Sequence, residues 1–435
     1  MEIKDLEFFY KNLDAKYVVR NNDLSNATYT NVDSNFVYSS KFARHRWFNY
    51  KEGFSPVLVE KIFEGYKLDS NSVVCDPFCG AGTTLAVAKA NGMNSLGFEV
   101  NPFAAFITKV KTSDYSSEDM EKLTAALQAL RLIDPCEEQK YPTNDYICRI
   151  FEPEMLVTQL NIKEYIFNIQ DNKVRDLLRF AWLCTLEDCS LYRKAGNGLK
   201  VKRKPPVYDT GKAFDFAISK IEQKVQAMIE DFSVESNGPT PKVFEDSVTS
   251  MERVVANESV DLVLFSPPYA NCFDYTKIYY LELWFGGFID STEEQKEIRM
   301  KSLRSHCHAT WPERYTNFYL PELNDEILPL LRKQKLWTDR IPDMLNGYFA
   351  DMEEALRQIY GSLKDGGHCS IVVSNSAYAG IIIPTDVFLA MIGEKIGFSV
   401  ESIDVERLII TSSQQYKKTE YLRKYLRESI VKLER

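Results

Sequence analysis

The amino-acid sequence predicts an α/β protein built on an open, doubly wound, mostly parallel sheet of seven strands, interrupted by two large insertions. Five short runs rich in β-branched residues, at 72–76, 95–99, 242–245, 260–265 and 368–374, are bounded by turn residues, as buried parallel strands are. Two further runs, 398–405 and 407–412, have only Glu406 between them and read as a terminal hairpin. The spacing is uneven: about 140 residues separate the second and third strands and about 100 the fourth and fifth, and neither gap is a plain crossover.

Those gaps divide the chain. Residues 1–111 carry an N-terminal segment and the first two strands, and 112–240 form a first insertion with helical periodicity at 121–133, 174–186 and 214–232. Residues 241–284 hold the third and fourth strands, and 285–346 form a second insertion rich in bases and aromatics: Arg299, Lys301, Arg304, Trp311, Arg314, Tyr315, Trp337 and Arg340. Residues 347–435 complete the sheet domain. The closing stretch places Leu422, Leu426, Ile430 and Leu433 at helical spacing and predicts a packing helix.

Composition narrows the class. With 435 residues, 45% of them apolar and 26% charged, the chain is long enough for a full core and ordinary for a globular protein. No run approaches the roughly 20 apolar residues of a membrane span, and the N-terminus lacks an apolar signal core, so a cytoplasmic protein with no membrane partner is expected. Nine cysteines occur without a C-x-x-C pair, and His306, Cys307 and His308 form an isolated cluster, so no metal site is expected. The net charge of −9 runs against a polyanionic partner, yet between residues 189 and 208 six bases (Arg193, Lys194, Lys200, Lys202, Arg203, Lys204) meet no acid. That segment reads either as a solvated loop or as a grip on phosphates.

The first strand runs into Asp76-Pro77-Phe78-Cys79-Gly80-Ala81-Gly82-Thr83-Thr84 and then a helix. Gly80 and Gly82 let the backbone approach a ligand, and the free N–H groups of the helix start suit a carboxylate. A dinucleotide turn would want a third glycine or alanine where Leu85 stands, which argues against nicotinamide binding. Glu99, ending the second strand, could accept both hydroxyls of a ribose. Asp246, ending the third, could accept from an adenine amino group or cap a helix. Upstream, Phe54-Ser55-Pro56 either starts a packing helix, with Ser55 as its cap, or closes over the ligand.

The fourth strand ends in Ser266-Pro267-Pro268-Tyr269. Two prolines stiffen the turn and leave the Pro267 carbonyl outside any local helix, while Tyr269 offers a flat ring. Asn271, Asp274 and Tyr275 follow closely enough to line the same pocket, or equally to cap the next helix.

Taken together, the FSP turn at 54–56, DPFCGAGTT at 76–84, Glu99, Asp246 and SPPY at 266–269 resemble the motifs of amino-group DNA methyltransferases, over roughly 250 residues of core. The resemblance implies a Rossmann-like class I methyltransferase sheet, S-adenosylmethionine as cofactor and double-stranded DNA as substrate. It implies a catalytic role for Ser266, Pro267, Pro268 and Tyr269, with cofactor contacts from Phe54, Ser55, Asp76, Pro77, Phe78, Gly80, Gly82, Thr83, Glu99 and Asp246. Serine at the first clamp position leans toward N4 of cytosine, with N6 of adenine as the alternative. A cognate restriction endonuclease or other defence protein is the implied partner.

The chemistry matches the residue types. A base amino group is a poor nucleophile because its lone pair is delocalised, so a hydroxyl and a carbonyl that accept its two N–H bonds would localise the pair, and the rest is alignment. Tyr269 could stack on an extruded base, and Asn271, Asp274 and Tyr275 could line its pocket. Arg193, Lys194, Lys202 and Arg203 are the candidate duplex contacts. The motif order, cofactor turn before SPPY, departs from many permuted N4-cytosine members. Methylation of RNA or of a protein amide, and a non-catalytic DNA-binding subunit with decayed motifs, are the competing readings.

Overall fold

A computed structural model describes the chain except for residues 22–40, 52, 134–143, 197, 233–237, 308, 310, 312–316 and 410–412. His308, Arg314, Tyr315 and the end of the run at 407–412 therefore lie outside the described residues.

The central sheet has eight strands: β1 (Val19–Asn21), β2 (Val73–Asp76), β3 (Asn94–Phe98), β4 (Lys242–Phe244), β5 (Val260–Phe265), β6 (Leu363–Ser374), β7 (Ser399–Leu408) and β8 (Arg427–Glu434). Their order is β1-β7-β8-β6-β5-β2-β3-β4. All neighbours are parallel except β8, which lies antiparallel between β6 and β7. This is the expected Rossmann-like plan of seven strands, with short β1 added at one edge. β5 shows why the strands are legible: all of VDLVLF is buried except Asp261. That carboxylate accepts from the Val73 N–H and the Lys364 ammonium, both at 2.8 Å, stitching three strands together.

From β2 the chain steps outward through β3 to β4, then returns to β5 and steps the other way. The strand order thus reverses between β2 and β5, and a doubly wound sheet opens its ligand crevice beyond the carboxyl ends of the strands at that point. Asp76 ends β2 and Ser266 follows β5 directly.

Two expectations are corrected at the C-terminus. The predicted packing helix is instead a short 3-10 turn (Glu420–Tyr425) followed by β8. The two runs flanking Glu406 do not form a hairpin either: β7 continues through Glu406 with a register shift between Val405 and Arg407, and its antiparallel partner is β8. β8 is buried nearly throughout, so it lacks the polar-apolar alternation that marks a half-exposed strand. Its charged residues are neutralised inside, Arg427 by Asp14 and Asp386, Glu428 by Arg407.

The insertions differ in how they are built. The first contributes the helices Ser117–Arg131, Pro153–Phe167, Asn172–Leu183 and Ala213–Phe232. They share a hydrophobic core of their own with the helices Pro102–Thr112 and Tyr280–Phe285. The second contributes Thr292–Lys301 and a helical run at 322–332, and its apolar residues Leu303, Leu323, Ile327, Leu328 and Leu331 merge into the core beneath the sheet. No helix among the described residues is long and apolar enough to cross a membrane.

Candidate active site

The turn after β2 is over-determined by its neighbours. Gly80 (φ +49°) and Gly82 (φ +73°) sit in the left-handed region, where a side chain is strained. A Cβ on Gly82 would come within 2.6 Å of Thr108 Cγ2, and one on Gly80 within 3.0 Å of the Tyr50 ring. Glu99 clamps the turn from β3, with one carboxylate oxygen accepting the Gly80 N–H at 2.9 Å and the other the Asn101 N–H at 2.8 Å. The helix Pro102–Thr112 holds it from the far side: Thr108 Oγ1 donates to Gly80 O at 2.8 Å and Lys111 Nζ to Ala81 O at 2.7 Å. Asp76 Oδ1 accepts the Phe78 N–H at 3.1 Å.

These groups face a cleft of about 1220 Å³, counting its open mouth. The residues lining it include Phe54, Asp76, Pro77, Phe78, Gly80, Thr83, Glu99 and Asp246, together with Ser266, Pro268, Asp274 and Tyr275 from the turn after β5 and the helix that follows it. Of the remaining candidates, Ser55 is buried as the cap of the helix Pro56–Gly65, and Gly82 caps the helix Thr83–Ala90. Pro267 is buried behind the turn. Tyr269 packs against the main core outside the lining, and the Ser266 hydroxyl donates to the Tyr269 hydroxyl at 3.3 Å. Asp246 does not cap a helix: it accepts the Ser247 N–H at 2.8 Å, and Ser247 caps the turn that follows.

The electrostatics suit a cationic ligand. Burial pushes Asp76 and Glu99 both up to about 7, against the pull of their backbone hydrogen bonds, and the nearby Glu99 charge adds to the rise at Asp76. Burial pushes Lys111 down to about 7 and drives His45 far below its ordinary value. Two buried carboxylates, beside a turn that admits no Cβ, fit a sulfonium-bearing nucleoside such as S-adenosylmethionine, whose ribose would reach Glu99 and whose amino-acid end would meet the glycine turn.

Beyond SPPY the sequence alternatives resolve unevenly. Asp274 caps the short helix Tyr275–Ile278, accepting from Thr276, and pairs with Arg299 Nε at 3.0 Å in a buried ion pair, while also lining the cleft. Asn271 is exposed, accepts the Phe273 N–H at 3.2 Å and stands outside the lining. The basic loop is a β-hairpin, Tyr192–Ala195 with Gly198–Val201. Two of its expected DNA contacts are turned to internal work: Lys194 is buried against Glu282 and Glu187, and Lys202 donates to the carbonyls of Glu187, Asp188 and Ser190. Burial makes a bare ammonium costly, so both are held by acceptors rather than presented to phosphate. Arg193 and Arg203 are exposed, as are Lys200 and Lys204.

Several lining residues escaped the sequence reading. Tyr50 stacks on Tyr279, with ring centroids 5.0 Å apart and planes 10° from parallel, and braces Gly80. Ser305 and His306 of the second insertion also line the cleft, joined to the loop after Ser266 by the Cys272 N–H donating to Ser305 O at 3.1 Å. Lys111, which lines the cleft, and Thr108, which holds the turn, had a possible signal in their i,i+3 spacing on one helix face after Glu99. Among the described residues, His368, Glu401 and Glu434 are the one grouping of potential metal ligands, and they lie outside the cleft.

Comparison with known proteins gives the family of the chain. A family model for N6/N4 methyltransferases, described as DNA methylase, matches residues 5–110. The Type II methyltransferase M.AvaI of Nostoc sp. strain PCC 7120 is 30% identical over 397 residues, covering 83% of this chain and 80% of that protein. M.BsoBI of Geobacillus stearothermophilus is 28% identical over 442 residues, covering 89% and 84%. M.MvaI of Kocuria varians is 21% identical over 397 residues, covering 82% of each.

Proposed function

Because the chain belongs to the amino-group (N6/N4) DNA methylase family, whose methyl donor is S-adenosylmethionine, we propose that it methylates N4 of cytosine within one short DNA sequence as the modifying half of a restriction-modification pair. The single observation that carries this reading is the shared cleft, which Gly80, Glu99 and Asp76 line together with Ser266 and Pro268. The relatives M.AvaI and M.BsoBI are Type II methyltransferases, which supports the pairing with a cognate endonuclease.

In this reading each wall has one task. Glu99 and Asp246 hold the nucleoside end of the donor, and the turn at 77–83 holds its amino-acid end. The donor supplies an electron-poor methyl group. Ser266 Oγ would leave its weak bond to Tyr269 and accept one N–H of the extruded base, while the Pro267 carbonyl accepts the other, so that the nitrogen lone pair is freed to take the methyl group and the N–H proton displaced by the new bond passes to solvent. No side chain forms a bond to the base. The first insertion grips the duplex through exposed Arg193, Lys200, Arg203 and Lys204, and the second closes the base side with Ser305 and His306.

Serine, rather than an amide or acid, at position 266 supports cytosine over adenine. Modification-sensitive sequencing of DNA from cells expressing the protein tests both base and site. N4-methylcytosine confined to one motif is expected. N6-methyladenine would overturn the choice of base, and unmodified DNA would overturn the proposal.

A further inference from the structure

Tryptophan is costly to leave in water, and the other tryptophans are packed: Trp47 and Trp182 are buried, and Trp284 and Trp311 half-buried. Trp337 is 65% exposed. It stands in the turn between the helices Leu328–Arg332 and Ile341–Ser362, in the second insertion. The turn is anchored on both sides of it. Leu336 packs against the main core, and Arg340 Nη1 donates to Cys307 O at 3.4 Å. Cys307 directly follows His306, a cleft-lining residue. Three peptide units keep Trp337 within about 11 Å of Arg340, measured between Cα atoms, so the exposed indole belongs to a turn tied, through Arg340, to the segment that lines the cleft. Lys333 and Lys335 are exposed beside it and form no ion pair among the described residues.

An anchored, exposed aromatic flanked by unneutralised cations has the chemistry of a contact with stacked bases between phosphates: the lysines meet the backbone, and the ring meets a base face, tolerant of sequence. We propose that Trp337 enters the duplex beside the extruded base and occupies the space that the base leaves, with Lys333 and Lys335 seating the turn on the flanking phosphates. The inference rests on the reading of the protein as a DNA methyltransferase that extrudes its target. Filling the gap offsets the stacking lost on extrusion, and so Trp337 is a positioning residue that raises the population of the open duplex without touching the reacting atoms.

The test uses the full chain and a duplex bearing the sequence that the wild-type protein methylates, with 2-aminopurine next to the target base as a reporter of unstacking. At saturating protein, wild type should raise the emission. Trp337→Ala should lower that rise by about five- to tenfold, the effect of removing one aromatic ring from a base face, with unchanged S-adenosylmethionine affinity and melting temperature. Trp337→Phe should restore at least half of it. Lys333→Ala with Lys335→Ala should weaken duplex affinity and flatten its salt dependence, yet keep the full emission once saturated. A wild-type emission rise in Trp337→Ala, or no rise in a wild-type protein that methylates the duplex, overturns the role of Trp337 and leaves the proposed function standing. A wild-type protein that methylates no DNA removes the proposed function and this inference together.

Discussion

The two walls of the cleft are built in different ways. The donor wall comes from consecutive strand ends, β2 and β3, together with the helix after each, and its polar contacts are local: Gly80 to Glu99, Asn101 to Glu99, Thr108 to Gly80. The base wall joins the turn after β5 to residues about 25 to 35 positions further on, through Cys272 to Ser305 and Asp274 to Arg299. Local contacts hold the glycine turn of the donor wall, although the helix Pro102–Thr112 behind it packs in one core with the first insertion, whereas the base wall draws Arg299 and Ser305 from the second insertion.

The largest expected effect separates the walls outright. Ser266→Ala should reduce the rate of methyl transfer by about 10²- to 10³-fold, the cost of removing one charge-stabilising partner, while S-adenosylmethionine affinity measured by calorimetry stays at the wild-type value. Equal loss of both would mean that the walls do not divide the work. Glu99→Ala reverses the pattern: donor affinity should fall by about 10- to 100-fold, as expected for hydrogen bonds to a charged acceptor, with the maximal rate much less affected.

The acidity of the donor wall sharpens the contrast. Burial raises Asp76 and Glu99 to about 7, so the ligand-free fold holds protons that the unfolded chain has released. The sign follows: their contribution to stability is complete below the ordinary carboxylate range and is lost as pH rises through 7, so the melting temperature of the ligand-free protein should fall between pH 5 and 8. Donor affinity should run the other way, strengthening by about five- to tenfold from pH 6 to 8 as a cation meets ionised carboxylates. Glu99→Gln should flatten both curves, and pH-independent binding would remove the electrostatic account. Smallest of all, Arg193→Ala with Lys200→Ala on the hairpin should weaken DNA binding a few-fold and lower the salt slope by about 1 to 2, roughly one for each phosphate no longer neutralised. A drop in donor affinity instead would place the hairpin in the wrong role.

How much was legible follows the same division. β2, β3 and β5 announce themselves as apolar runs ending in Asp76, Glu99 and Ser266, because a parallel strand buried on both faces needs little beyond its own residues to be recognised. β8 defeated the same reading. Leu422, Leu426, Ile430 and Leu433 keep helical spacing, while Arg427 and Glu428 look like a solvent face; only their partners Asp14, Asp386 and Arg407, distant in sequence, make them fit a buried strand. Lys194 and Lys202 misled in the same way, reading as free cations until Glu282 and the carbonyls at 187, 188 and 190 are in place. Tyr50 carries no local pattern, and its stacking on Tyr279 emerges only from tertiary packing.

The most direct measurement is the structure of the protein crystallised with S-adenosylhomocysteine. The account predicts the ribose hydroxyls on Glu99, the amino-acid end against the turn at 77–83, and the sulfur facing Ser266 across open space. A nucleoside seated in any other cavity, or one whose sulfur points away from residue 266, would contradict it.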